Sequence, residues 1–175
     1  MYSLKIEPAT IADIPLLNKL VNSAYRGESS KKGWTTEADL LDGIRTDEEG
    51  LKKMLSKENA IVLLAKHEQA IVGCVYLEKQ LNRLYLGMLT VSPELQGAGI
   101  GKRLLEAADD YALKEKLTAI SMTVITVRKE LIAWYERHGY KKTGETKPFP
   151  NDPAFGIPKQ PLEFLVMRKT VEKSV

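Results

Sequence analysis

The stretch LTVSPELQGAGIGKRLLEAADDYA, from Leu89 to Ala112, constrains this chain more than any other. An apolar run stops at Pro93, and the alternate glycines Gly97, Gly99 and Gly101 follow. Ile100, Leu104, Ala108, Tyr111 and Ala112 then recur at helical spacing for about four turns. A strand therefore runs through a glycine turn into a helix. Glycines let the main chain approach a ligand closely and adopt positive φ, while the first unpaired N–H groups of a helix and its dipole favour negative charge. Phosphate is the natural guest. Lys102 and Arg103 oppose the dipole in that first turn, which makes sense beside an anion; the plain alternative is a helix start with solvated charges.

Two phosphate motifs fail here. A P-loop needs glycine five residues before Gly101 and Ser or Thr after the lysine, where this chain has Gln96 and Arg103. A dinucleotide fingerprint would put its third glycine at Lys102 and needs a preceding βαβ unit, whereas the segments before the turn read as an antiparallel meander. The meander consists of AIVLLAK, AIVGCVYLEKQ and NRLYLGMLTV, with HEQ as its first turn.

The rest of the chain alternates. SLKIEPA is a short strand. TIADIPLLNKLVNSAY is a helix with Ile14, Leu17, Leu20, Val21 and Ala24 on one stripe, capped by Asp13 with Pro15 in its first turn or starting from Thr10. EADLLDG has a short helical pattern and DEEGLKKMLSK is a second amphipathic helix. After the glycine turn and its helix come the strand AISMTVIT, the helix KELIAWYERHG closed by Gly139, and the strands YKKTGE and LEFLVMRK. At 175 residues, 43% hydrophobic and with a formal charge of +3, one soluble domain over residues 1–175 is expected. No membrane-length apolar run and no signal pattern in MYSLKIEPAT is seen, so a cytoplasmic protein is the expectation. The only cysteine, Cys74, reads as core and excludes an intrachain disulfide or a Cys-based metal cluster. His67 and His138 read as a turn and a helix-end residue, so no metal is expected. The 26 basic and 23 acidic residues are spread along the chain, which indicates neither a nucleic-acid nor a membrane partner.

Val-x-Pro followed by Gln-Gly-x-Gly-x-Gly, in VSPELQGAGIGKRLL, closely resembles the acetyl-CoA-binding motif of the GNAT superfamily of N-acetyltransferases. About thirty residues on, ELIAWYERHGY resembles that family's later helix with its aromatic, Tyr, Glu, basic, x, Gly, aromatic ending. The resemblance implies an α/β fold of the α+β type, a mixed and mostly antiparallel sheet of about seven strands flanked by about four helices. It implies that the backbone of Leu89 and Val91 bonds the pantetheine arm where two strands splay. Gln96, Gly97, Ala98, Gly99, Ile100, Gly101 and Lys102 would wrap the pyrophosphate, and Tyr135 would sit near the thioester sulfur. The family often has Asn seven residues before that tyrosine; this chain has Arg128, a donor for a CoA phosphate or a solvated helix start.

The implied reaction sets requirements. An amine with a lysine-like pKa near 10.4 is about one part in a few thousand neutral at pH 7, and only the neutral form attacks a thioester. The central segment NRLYLGMLTV contains no acid, which leaves Glu78 and Glu37 as the nearest candidate bases. The Leu89 N–H can stabilise the developing oxyanion, and Tyr135 can protonate the departing thiolate because its phenol stays protonated at neutral pH. On periodicity alone Tyr135 is a core residue beside Leu131, Trp134 and His138.

The acceptor falls to two long segments, RGESSKKGWTTEADLLDGIRTD and TKPFPNDPAFGIPKQP. The second holds five of the eight prolines and offers Phe149 and Phe155 as apolar walls; the first offers Trp34, Glu37 and Asp39 to a cationic amine. The expected activity is acetyl transfer from acetyl-CoA directly to a primary amine of a small molecule. A peptide or protein amine, or a non-catalytic acyl-CoA sensor, is the alternative. A homodimer is compatible with either.

Overall fold

Pairing and capping account for each element of the computed structural model, which describes residues 4–25, 41–42, 46–95, 98–149, 157–159 and 161–171. Strand β1 (Leu4–Pro8) leads to a single 3₁₀ turn over Ile11–Asp13, closed by the Thr10 N–H donating to Asp13 Oδ2 at 2.8 Å. Helix α1 (Ile14–Tyr25) follows, with Pro15 in the first turn where its missing N–H costs nothing. The stripe Ile14, Leu17, Leu20, Val21 and Ala24 is buried as its spacing requires, and Tyr25 extends it by one position. Helix α2 (Glu48–Ser56) is capped by the Asp47 side chain, which accepts from the Gly50 N–H at 2.7 Å, and it buries Leu51.

The meander is β3 (Ala60–His67), β4 (Ala70–Gln80) and β5 (Arg83–Val91). Helix α3 (Ile100–Lys114) follows the glycine turn; then come β6 (Ala119–Ile125), α4 (Lys129–Arg137), β7 (Lys141–Pro148) and β9 (Glu163–Thr170). A short strand β2 (Leu41–Asp42) pairs antiparallel with β8 (Ile157–Pro158). The main sheet has seven strands in the order β1-β3-β4-β5-β6-β9-β7, antiparallel except for β5 beside β6.

Two expectations change. Within EADLLDG, Leu41 and Asp42 are strand rather than helix, because long-range pairing with Ile157 and Pro158 overrides local propensity. β7 runs on to Pro148, so Thr146 and Lys147 pair with β9 instead of opening a loop. β7 is exposed along its length and carries Lys141, Lys142 and Lys147, charges suited to an edge strand.

The sheet buries a separate core on each face. One holds α1 and α2, with Leu17, Val21, Leu51, Val62, Cys74 and Tyr76. The other holds α3 and α4, with Leu77, Leu86, Ile100, Leu104, Tyr135 and Met167. Among the described residues no helix is long and apolar enough to cross a membrane.

Candidate active site

The only parallel junction of the sheet is also where it splits. β5 and β6 pair at Leu84 with Ile120 and Tyr85 with Ser121, and the strands share no partner beyond these two positions. On its other side β5 carries a bulge. Cys74 pairs with Thr90 but Tyr76 pairs with Gly87, so Met88 and Leu89 have no partner on β4. Met88 takes φ 52° to make the turn. Side chains then take up the displaced carbonyls: the Thr90 hydroxyl donates to Met88 O at 2.9 Å, the Cys74 thiol lies 3.7 Å from the same oxygen, and the Tyr25 hydroxyl donates to Leu89 O. The part of Leu89 that an oxyanion would need is its N–H.

The split opens into a cleft of about 360 Å³ that reaches both faces of the sheet. From the α3/α4 side it is lined by Leu89, Leu131, Tyr135 and Arg128. Tyr135 is 6% exposed, with edge-on contacts to Trp134 at 5.1 Å and Tyr140 at 5.7 Å. It is thus both a core aromatic and a wall of the cleft. Burial holds its phenol well above the ordinary value, Tyr25 and Tyr140 add to this, and Arg128 pulls the other way. The hydroxyl therefore keeps its proton at neutral pH.

The glycine turn stands beside this junction. Gly99 is the N-cap of α3 with φ 79°, a left-handed conformation, and a Cβ there would meet nothing within 4 Å. It stands open at the first N–H groups of a fifteen-residue helix, an arrangement that can receive an anion. Gly101 is different. It is buried, and a Cβ would stand 3.2 Å from the Trp134 ring and 3.7 Å from Val91. The absent side chain at 101 lets α3 and α4 meet. Ala98 is half-buried, Ile100 is buried, and Lys102 and Arg103 are exposed.

From the α1/α2 side the cleft is lined by Tyr25, Met54, Tyr76, Tyr85 and Met88. Phe149 lines it as well, its ring 5.1 Å from that of Phe164. Glu78 does not line the cleft. Its Oε1 accepts from the Tyr76 hydroxyl at 2.5 Å and from Lys57 Nζ at 3.0 Å, and its Oε2 from Gln80 Nε2 at 3.0 Å. The Tyr76 hydroxyl first, then Gln80 and, more weakly, Lys57, hold the carboxyl at about 2 against the effect of burial. Its oxygens are taken by these three donors and it stands outside the cleft lining, so it is not placed to take a proton from an amine there directly.

The structure thus gathers Leu89, Arg128, Tyr135 and Phe149 in one cleft, and Val91, Ala98, Gly99, Ile100, Gly101 and Lys102 at the adjoining strand-to-helix junction. Trp34, Glu37, Asp39, Gln96, Gly97 and Phe155 lie outside the described residues. Sequence reasoning missed Tyr25 and Tyr76. The signals were there: Tyr25 stands four residues after Val21 on the apolar stripe, and Tyr76 shares a strand face with Cys74. Among the described residues no group of His, Cys, Asp and Glu could hold a metal ion.

A family model for the acetyltransferase (GNAT) domain matches residues 36–151. The chain is 27% identical over 159 residues to an IAA acetyltransferase of Azospirillum brasilense, covering 90% of this chain and 93% of that protein. It is 27% identical over 124 residues to human N-acetyltransferase 8B, covering 67% of this chain and 54% of the relative, so it spans only about half of that protein. The fold is similar to the PaiA N-acetyltransferase of Thermoplasma acidophilum in complex with coenzyme A, with a TM-score of 0.69, 18% identity, and 96% and 99% of the two chains covered.

Proposed function

The chain belongs to the GNAT acetyltransferase family, and from that premise we propose that it is one acetyltransferase unit over residues 1–175 that moves an acetyl group from acetyl-CoA to a primary amine of a small molecule. The observation that carries this reading is the splayed β5–β6 junction, where Leu89 from the bulge and Tyr135 from α4 line one cleft. The open left-handed turn at Gly99 supports a pyrophosphate against the first N–H groups of α3, with Lys102 alongside. The stretches of β5 and β6 that no longer pair with each other suit an extended pantetheine arm, since strand edges offer N–H and C=O groups in line.

Acetyl-CoA supplies the acetyl group as a thioester. The neutral amine attacks the carbonyl carbon, the Leu89 N–H donates to the oxygen as it gains charge, and the C–S bond breaks as Tyr135 gives its proton to sulfur. The attacking nitrogen gives its proton to solvent, since no carboxylate lines the cleft among the described residues. The phenol recovers a proton from solvent.

Coenzyme A release, measured with the purified protein and a panel of amines, tests the reading; no release with any amine would overturn it. Tyr135→Phe keeps the ring contacts and removes the hydroxyl. Its single-turnover rate is expected to fall by about tenfold or more, with acetyl-CoA affinity retained. A rate within about twofold of the parent would leave Tyr135 as a packing residue, because general-acid assistance is worth much more than that.

A further inference from the structure

Two hydroxyls on the α1/α2 side of the cleft have their hydrogens committed inside the protein. The Tyr25 proton goes to Leu89 O, and the Tyr76 proton goes to Glu78 Oε1 at 2.5 Å. A phenol has one hydrogen and two lone pairs. With that hydrogen turned toward Glu78, the Tyr76 oxygen can only accept. Its phenol is pushed up by burial and by Glu78, so the hydrogen stays on the pair across the neutral range. Glu78 is fixed in turn by Lys57 and Gln80 at 3.0 Å each, which leaves the carboxylate little freedom to turn away.

The surroundings narrow what such an acceptor can receive. No carboxylate lines the cleft among the described residues; Tyr85 stands beside Tyr76, and Met54 and the Phe149–Phe164 pair line the same cleft. Tyr85 meets Tyr76 edge-on at 6.4 Å. A second ammonium pressed against these walls would lose its hydration without an ionic partner. A bare carboxylate on the amine would also favour its protonated, unreactive form, whereas a phenol oxygen binds an N–H without that penalty.

We propose that Tyr76, oriented by Glu78, receives the amine of the acceptor, and that the acceptor is a primary amine carried on an apolar or aromatic body. Tyr76 is then a specificity residue in contact with substrate, and Glu78 a positioning residue acting through it. The assignment rests on the acetyl-transfer reading for its chemistry, but amine binding can be measured without turnover.

The experiment is calorimetry on the full chain with 2-phenylethylamine and with putrescine, in the presence of coenzyme A, alongside steady-state kinetics. The wild-type protein is expected to bind 2-phenylethylamine saturably and in preference to putrescine. Tyr76→Phe should weaken that binding roughly tenfold, the scale of a hydrogen bond to a charged group, with coenzyme A affinity unchanged. Glu78→Gln should raise the KM for the amine more than it lowers kcat and leave the KM for acetyl-CoA alone, a split that a general loss of structure would not give. Undiminished amine binding in both variants overturns the assignment, as does a wild-type preference for putrescine or binding of neither amine. Saturable, Tyr76-dependent binding without coenzyme A release would retain the amine site and reject the transfer reaction.

Discussion

Gly99 and Gly101 look alike in the sequence and do different things. Gly99 needs its left-handed φ and faces open space, while Gly101 leaves room for Trp134. A substitution at 101 therefore disturbs the α3–α4 contact next to Tyr135 and confuses packing with binding. Gly99→Asn separates the two at the other position, since asparagine tolerates left-handed backbone better than other side-chain-bearing residues. Its melting temperature should stay within a few degrees of the parent, while coenzyme A affinity falls about tenfold as the side chain enters the space proposed for the pyrophosphate. Unchanged affinity by calorimetry would remove the turn from the cofactor site. The motif made the turn legible; that Gly101 answers to an indole while Gly99 faces open space is tertiary information, because Trp134 lies more than thirty positions from Gly101.

At the scale of elements, the bulge in β5 matters most, and it was legible only in part. Period-two burial holds from Arg83 to Gly87 and then gives way to four consecutive buried residues, Met88 to Val91. A break in alternation is what a bulge looks like in sequence, yet the same run reads equally well as a fully buried strand. What fixes it is remote: Tyr25 at the end of α1 donates to Leu89 O. Tyr25→Phe leaves that buried carbonyl without this donor, at a cost of about 1–3 kcal/mol. The bulge should relax, and the single-turnover rate should fall while coenzyme A affinity at the glycine turn holds. A normal rate in a destabilised Tyr25→Phe protein would mean that the hydrogen bond serves the fold and not the position of Leu89. The β2–β8 pair was illegible for a related reason. Its strands are two residues each and more than a hundred apart, so no local pattern announces them.

Across the whole molecule, the sheet separates two sets of candidate site residues on its two faces and joins them at one split. The glycine turn, α4 and Tyr135 are packed on one face, Tyr25, Tyr76, Tyr85 and Met54 on the other, and the cleft between β5 and β6 connects them. Strand order and helix spacing conveyed most of this layout, but not that Glu78 ties the end of β4 to Lys57, the C-cap of α2. That tie has a pH signature. The Glu78 carboxyl is held at about 2 in the folded protein against 4.5 for an unperturbed glutamate. The unfolded chain therefore takes up a proton first as the pH falls, and the contribution is complete above about 4.5 and lost on descending toward 2. Glu7, lowered by Lys66 and Lys5, acts in the same direction. In Glu78→Gln only the first contribution is removed. The melting-temperature gap between parent and variant should be constant from neutral pH down to about 5 and close as the pH drops further. A gap that persists undiminished at pH 2.5 would mean that Glu78 supports the fold through the shape of its side chain rather than its charge; closure would tie the anchor of Tyr76 to an ionised carboxylate throughout the range in which an amine can be acetylated.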